Sequence, residues 1–291
     1  MKRMKNMRKQ AMKKHCIPLL TASLFYLMFA AAACSADYRL TETGSKDTTP
    51  LEKAVSELKE NRLVLVGELH DNRTHHEKQL AVIKALHEAG AQVAIGLEMF
   101  RHDSQEALNK WVSGQMAPEE FIPIYYDNWN FPWPLYSMIF DYARENKIPM
   151  VGLNVGRDIT RQVAREGFTS LSEEQRGKLE DVTCRVDEDY MNFIRGVFGD
   201  KSHGHLNFNY FCEAQLVWDN VMAVYALEYL KNHPRSTMVL LTGNGHARKR
   251  GIPTQVEKRS NLPQAVILPM TPGYITPENV GTDEADYLIS H

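Results

Sequence analysis

The sequence predicts an α/β fold with a mainly parallel sheet, helices on both faces and an inserted helical cap. Short apolar runs, typical of strands that are buried on both faces, alternate with segments whose apolar residues recur at helical spacing. Several of these runs end directly in polar side chains, which is where ligands gather in an open α/β sheet. Two of the runs end in Gly-x-x-His, at Gly67–His70 and at Gly243–His246. These patterns place a functional site at the carboxyl edge of the sheet.

The individual elements follow from local patterns in strand–helix order. The predicted helices cover residues 51–59, 75–89, 105–113, 136–146 and 208–231, and the predicted strands cover residues 63–67, 93–97, 148–153, 238–241 and 265–269. We expect a helical insertion over about residues 157–205. The prolines around the last strand place that strand at an edge of the sheet.

Residues 1–33 have the charge order of a lipoprotein-type signal peptide. Seven Lys and Arg residues without an acidic residue precede an apolar segment from Ile17 to Ala33. An uncleaved membrane anchor is the alternative, although the apolar run is short for a bilayer span. The segment ends in Ala31-Ala32-Ala33-Cys34, which resembles a bacterial lipobox, so we expect Cys34 to be the lipidated N-terminus. Ordinary cleavage after one of the alanines is the alternative, and Ser35 favours the outer membrane.

Residues 34–50 are polar and are predicted to form a tether to a single domain over residues 51–291. Beyond residue 33 the chain has 27 basic and 36 acidic side chains. This acidic excess argues against nucleic-acid binding, which needs a basic face. Cys184 and Cys212 are the two cysteines left beyond Cys34. Whether they form a disulfide stays open, because a sequence does not show the distance between their Cα atoms.

Residues 122–134 interrupt the helix and strand pattern with a dense group of aromatic side chains. We interpret this segment as a loop or lid whose aromatic rings either fill the core or line a pocket. The aromatic residues are Tyr125, Tyr126, Trp129, Phe131 and Trp133.

Glu68, His70, Glu98 and His246 follow the ends of three predicted strands, and we call these four residues the rim. Each has an ordinary structural explanation by itself, such as a Glu that pairs with an Arg or a His that bonds a backbone carbonyl. Together, two imidazoles and two carboxylates are suited to acid–base catalysis or to binding a divalent metal. We therefore predict a catalytic role for the rim, with His70 and His246 as metal ligands in the metal-dependent alternative.

The remaining histidines divide into two groups. His75 and His76 stand at the start of a predicted helix, and we expect both to be exposed. His203 and His205 precede Tyr210, and imidazole and phenolate are both ligands of haem iron. These three residues are the candidate haem-binding group, with a solvated loop beside a core tyrosine as the alternative. The absence of Cys-x-x-Cys-His excludes covalent c-type haem attachment.

Five motifs occur in a specific order. Together they resemble the ChaN family of bacterial haem-binding lipoproteins, and the resemblance extends from about Leu51 to Pro269. This family is similar in fold to the Tiki and TraB proteins and to erythromycin esterase, which share the Gly-x-x-His pattern. The motifs are Gly67-Glu68-Leu69-His70-Asp71-Asn72, Gly96-Leu97-Glu98-Met99-Phe100, Val151-Gly152-Leu153-Asn154, Ala214-Gln215-x-x-Trp218-Asp219-x-x-Met222-Ala223, and Gly243-Asn244-Gly245-His246 with Gly251-Ile252-Pro253.

The resemblance implies a lipid-anchored protein of the outer membrane that binds haem and takes part in iron acquisition. It further implies tyrosine ligation, a homodimer when haem is bound and an outer-membrane haem receptor as a partner. The candidate tyrosine ligands are Tyr210, Tyr190 and the pair Tyr125–Tyr126.

The resemblance also implies an alternative, a metal-dependent hydrolase in which Glu68 or Glu98 activates water and His70 and His246 hold a divalent metal. A periplasmic interaction protein with a vestigial rim is the third class of function.

Overall fold

The computed structural model describes residues 37–179, 181–199 and 207–291. The predicted signal peptide over residues 1–33, the lipidation site Cys34 and the histidines His203 and His205 lie outside the described residues. The part of the chain from Ala36 to His291 forms one compact unit.

The described residues form eight strands and eleven α-helices. The strands are β1 (Arg39–Glu42), β2 (Thr48–Pro50), β3 (Leu63–Glu68), β4 (Gln92–Arg101), β5 (Met150–Asn154), β6 (Ser236–Gly243), β7 (Gln264–Pro269) and β8 (Tyr287–Ser290). The helices are α1 (Leu51–Leu58), α2 (Arg73–Glu88), α3 (Gln105–Ser113), α4 (Pro118–Asn128), α5 (Trp133–Asn146), α6 (Arg157–Glu166), α7 (Glu173–Gly177), α8 (Glu188–Phe198), α9 (Phe208–Asn232), α10 (Asn244–Ala247) and α11 (Ile252–Glu257).

All eight strands lie in one sheet in the order β2-β1-β8-β7-β3-β6-β4-β5. The strands from β8 to β5 are parallel, whereas β1 and β2 add an antiparallel edge. Helices cover both faces. The predicted fold class, a mainly parallel α/β sheet, is therefore confirmed.

The period-two pattern of β3 explains the two layers of the core. Val64 and Val66 pack on one face with residues of α1 to α5, and Leu63 and Leu65 pack on the other face with residues of α9 and α11. All four side chains are fully buried. A continuous apolar run is what a central strand of a parallel sheet requires, because helices cover both of its faces.

Two predictions at the edge of the sheet are wrong. Residues 39–50, expected in a tether, form β1 and β2, and β1 pairs with β8. The last predicted strand, now β7, lies between β3 and β8 instead of at an edge. Both errors have one cause: β8 and β1 are four-residue strands with only two buried residues each, too short for an apolar pattern to reveal.

The aromatic segment is not a loop or lid. Residues 118–128 form α4, and Trp133 begins α5 after a short connection. Phe121 and Tyr125 are fully buried in the core, and Trp133 packs against them. The prolines misled the prediction. Pro132 is the N-cap residue of α5 and Pro134 lies in its first turn, where a missing N–H costs nothing, and Pro123 lies inside α4.

The helices α6, α7 and α8 occupy the region where we expected the helical insertion. Their apolar residues pack onto the first half of α9 in two small clusters separate from the main core. We call α8 the cap helix. Cys184 and Cys212 contact the same cluster but are both free thiols, so the structure does not contain the disulfide that the sequence left open.

Within the described part of the chain, no helix is both long and apolar enough to cross a membrane.

Candidate functional site

The rim assembles at the carboxyl edge of the sheet, as the sequence predicts. Glu68 is the last residue of β3, and Glu98 lies in β4 beyond its last paired residue with β6, Leu97. His246 follows β6 in the short helix α10. The strand order β3-β6-β4 makes these three strands neighbours, so the side chains at their ends converge.

The Glu68 carboxylate is the centre of a buried hydrogen-bond cluster. Its Oε1 atom accepts hydrogen bonds from His70 Nδ1 and from the Tyr136 hydroxyl, each at 2.7 Å. Its Oε2 atom lies 2.7 Å from His76 Nε2. His76 and its neighbour His75 are buried, so the expectation that both are exposed is wrong. Glu68 is surrounded by donors and inaccessible to solvent, an environment that suits a structural anion more than a base that activates water.

The charged forms of Glu68 and His70 stabilise each other. Burial by itself would raise the pKa of Glu68, but the hydrogen bonds from His70 and His76 lower it to about 2. Burial would likewise lower the pKa of His70, but the bond to Glu68 and the negative charge of Glu98 raise it to about 9. At neutral pH the pair is therefore a carboxylate and an imidazolium.

A second carboxylate–imidazole pair stands on the other face of the sheet. His246 Nδ1 donates to Asp219 Oδ1 at 2.6 Å, and the Tyr190 hydroxyl donates to Asp219 Oδ2 at 2.6 Å. Asp219 comes from α9 and Tyr190 from the cap helix, and all three side chains are buried. Burial opposes the charged form of His246, but the Asp219 carboxylate outweighs it and raises the His246 pKa.

Glu98 lies between the two pairs. Its Oε2 atom accepts hydrogen bonds from the Thr242 hydroxyl and from the backbone N–H of Gly243. A Cβ atom added to Gly243 would lie 3.2 Å from His70 Nε2 and 3.8 Å from this same oxygen. The glycine thus leaves the space in which the imidazole of His70 and the carboxylate of Glu98 approach each other.

The Nε2 atoms of His70 and His246 determine what the rim can do chemically. Both imidazoles use Nδ1 for a carboxylate, and Nε2 of each ring makes no hydrogen bond to a described residue. Within the described residues, no three His, Cys, Asp or Glu side chains are arranged to hold a metal ion. Imidazoles and carboxylates can also take up and give protons, which is the chemistry of acid–base groups.

Aromatic side chains flank both imidazoles. Trp129 and Phe131 contact the His70 ring, with ring centroids 5.0 Å and 5.2 Å away. The ring of Trp218 lies 6.0 Å from that of His246. The aromatic side chains of residues 122–134 were expected either to fill the core or to line a pocket. Two of them, Trp129 and Phe131, lie beside the site.

The motif order, the fold and the rim can be compared with known proteins. The family model described as haem-binding uptake, Tiki superfamily, ChaN matches residues 54–256. The chain belongs to this family. The match spans β3 to α11 and includes the whole rim together with Asp219 and Tyr190.

The chain shares its fold with a ChaN protein of known structure. ChaN of Campylobacter jejuni, whose structure is described as showing cofacial haem binding, has a TM-score of 0.65 and 19% identity, with 88% of this chain and 97% of that chain covered. The type III effector HopBA1 has a TM-score of 0.49 and 15% identity over 82% and 91% of the two chains. An erythromycin esterase EreC mutant has a TM-score of 0.48 and 16% identity over 80% and 77%. No curated protein matches this chain in sequence.

Four tyrosines were candidate ligands of haem iron, and their environments in the structure differ. The hydroxyl groups of Tyr190 and Tyr125 are engaged, with Asp219 and with the carbonyl of Phe131, and both rings are buried. Neither oxygen is available to an iron in this conformation. Tyr126 is exposed, and its hydroxyl accepts a hydrogen bond from the backbone of α5.

Tyr210 is half-buried in the first turn of α9, and its hydroxyl makes no hydrogen bond to a described residue. A Cβ on Gly167 would lie only 2.8 Å from the Tyr210 ring, so the glycine provides the space for it. Tyr210 and Asp219 are nine positions apart in α9, which places them on opposite faces of the helix and about 14 Å apart along its axis. Tyr210 therefore does not belong to the rim.

Sequence reasoning missed three residues that hold the rim. Asp219 belongs to the fourth motif and is an acidic residue within the buried stripe of α9, but neither observation assigned it to His246. His76 could have been placed inside, because it lies seven residues before the buried Ile83 on the same face of α2. Tyr136 gave no signal, since nothing in its own helix indicates the contact with Glu68.

Proposed function

We propose that this protein binds haem. The observation that carries the proposal is its membership of the ChaN family over residues 54–256. The similarity in fold to Campylobacter jejuni ChaN supports it, because that protein is described as binding haem in cofacial pairs.

Tyr210 is the described residue that best fits an iron ligand. Its phenol oxygen makes no hydrogen bond to a described residue, and its ring lies against Gly167, so the oxygen is a donor of the kind that haem iron accepts. Bound haem would supply the iron centre. The protein would orient the phenol oxygen through α9 and cover the apolar face of the macrocycle with partly buried aromatic rings of the cap helix, such as Phe193. His203 and His205 precede Tyr210 in the chain and complete the proposed group.

The proposed setting is a lipid-anchored protein of the outer membrane, facing the periplasm or the cell surface. The supporting observations are the basic and apolar leader and the lipobox-like residues before Cys34. Iron acquisition, a homodimer when haem is bound and delivery to or from an outer-membrane haem receptor belong to the same proposal. The cofacial haem of the Campylobacter protein supports the dimer, since two stacked macrocycles need two binding surfaces.

Haemin titration of the purified protein tests the haem proposal. We expect a saturable Soret absorbance and a change from monomer to dimer in sedimentation. Tyr210→Phe should change the Soret and charge-transfer bands, whereas Tyr126→Phe, at an exposed ring, should not. His203→Ala and His205→Ala test the two histidines in the same way. A featureless titration of the wild-type protein would overturn the proposal.

A second candidate function is acid–base catalysis at the rim. The observation that favours it is the pair of imidazoles whose Nδ1 atoms are fixed by buried carboxylates, while neither Nε2 atom bonds a described residue and the His70 ring lies near Glu98. In a hydrolysis, Glu98 or a neutral His246 would take a proton from water, and the His70 imidazolium would give a proton to the departing oxygen. A screen of ester substrates tests it, with loss of turnover expected in His70→Gln and His246→Gln. Turnover that survives both substitutions would exclude the rim.

A further inference from the structure

Two buried carboxylates of the site, Glu68 and Asp219, are each held by a tyrosine as well as by a histidine. Glu68 accepts from Tyr136 and His70, and Asp219 accepts from Tyr190 and His246, with all four distances between 2.6 and 2.7 Å. The two Tyr–carboxylate–His chains come from opposite faces of the sheet and share no residue. Because both have the same order of groups, the tyrosine is part of the arrangement that presents each imidazole.

The Tyr190 chain has a feature that the Tyr136 chain lacks. Tyr136 belongs to α5 in the main core, whereas Tyr190 belongs to the cap helix, which packs on α9 through a small cluster of its own. Among the described residues, the Tyr190 hydroxyl is the sole donor to Asp219 Oδ2. Whether Asp219 Oδ2 keeps this donor therefore depends on how the cap helix packs on α9, which we call the seating of the cap helix.

The consequence for His246 follows from the geometry of a carboxylate. With Oδ2 occupied by Tyr190, Oδ1 faces the imidazole and takes the proton on Nδ1, so that Nε2 is left for the site. A carboxylate that bonds one ring nitrogen in this way sets both the tautomer and the orientation of the ring. Glu98 from β4 and His70 after β3 are the other charged groups that act on His246.

We propose that Tyr190 is a positioning residue for His246: through Asp219, its hydroxyl couples the seating of the cap helix to the tautomer and protonation of the imidazole. The coupling is a property of the protein without haem or substrate. It therefore stands or falls independently of the haem proposal and of the acid–base candidate.

The substitution Tyr190→Phe removes the hydroxyl and keeps the ring. Among the described residues, the Asp219 carboxylate then keeps the imidazole alone to offset its buried charge, so the protonated form of His246 becomes more favourable and its pKa rises. Tyr136→Phe should do the same to His70 and leave His246 with a much smaller change. Tyr142→Phe is the matched control, because the Tyr142 hydroxyl bonds His87 Nδ1 at 3.0 Å away from the site.

The experiment is a pH titration of the histidine side chains by NMR in the ligand-free protein, with signals assigned from His70→Gln and His246→Gln. We expect the wild-type His246 to be protonated on Nδ1 when neutral, and its midpoint to move to higher pH in Tyr190→Phe alone. The opposite tautomer in the wild-type protein would overturn the proposal without any variant. A His246 midpoint that is the same in Tyr190→Phe and in Tyr142→Phe would show that Tyr190 only fills space.

Discussion

The Tyr136 hydroxyl donates to the Glu68 carboxylate at 2.7 Å in the fully buried space between α5 and the end of β3. This contact joins the helix layer to the strand that carries the first Gly-x-x-His motif. It also makes Glu68 the common acceptor of a tyrosine and two histidines. The stability of the fold and the charge of His70 therefore depend on the same carboxylate.

Replacement of Glu68 by Gln should destabilise the protein by about 3–5 kcal/mol, because it removes one partner of a buried ion pair and leaves the imidazolium uncompensated. Chemical denaturation at neutral pH measures the free energy of unfolding. The matched control is Glu77→Gln, which breaks an exposed pair with Arg73 and should cost less than about 1 kcal/mol. Equal effects of the two substitutions would contradict the importance of the buried cluster.

The stability should fall as the pH rises from about 6.5 through 9. The pKa of His70 is raised from 6.5 to about 9 in the folded protein, so its contribution is complete below the lower value and is lost on passing the higher one. In His70→Gln, the loss of unfolding free energy over this interval should be smaller than in the wild-type protein. The same slope in both proteins would refute this assignment.

On the acid side, two groups should lower the stability. Burial and the charge of Lys78 depress the pKa of His75 from 6.5 to about 4, so its contribution is complete above pH 6.5 and is lost as the pH falls through 4. Glu68, with a pKa lowered from 4.5 to about 2, adds a further loss below pH 4.5. His75→Gln should flatten the decline between pH 6.5 and 4 in a denaturation series, while the decline below 4.5 remains.

Gly243→Ala should displace His70, because the new methyl group would lie 3.1 Å from the imidazole ring. We expect a loss of about 1–3 kcal/mol of stability, as in other overpacked interiors, and altered NMR shifts of His70. Gly196→Ala is the control, since nothing lies within 4 Å of a Cβ at that position of the cap helix. It should be neutral or stabilise by up to about 1 kcal/mol. An undisturbed His70 in Gly243→Ala would show that the ring is not confined.

Cys184 and Cys212 should both be recovered as free thiols that alkylate slowly in the native protein. Burial raises the pKa of Cys184 to about 12 and that of Cys212 to about 11, so little reactive thiolate is present at neutral pH. Mass spectrometry of peptides after alkylation, with and without denaturant, measures this. A peptide pair linked through the two cysteines before reduction would contradict the structure.

Local patterns predicted the central part of the fold well. The strand over residues 63–67 and the long helix over residues 208–231 match β3 and α9 within one residue at each end. These elements have strong apolar patterns because the core covers them on several sides. The pattern fails where burial is slight, as in β1 and β8, or where prolines stand in first turns, as in α4 and α5.

The sequence by itself predicted the alternation of strands and helices in the central sheet, the family and the position of the four rim residues, since a polar group directly after a buried strand points to the carboxyl edge of a parallel sheet. Only the tertiary structure decided the roles within that edge. It pairs Glu68 with His70 and Tyr136, and it brings Asp219 and Tyr190 to His246 from elements far along the chain. Such contacts depend on how helices pack across the sheet, and the periodicity of one segment carries no information about the side chains of another.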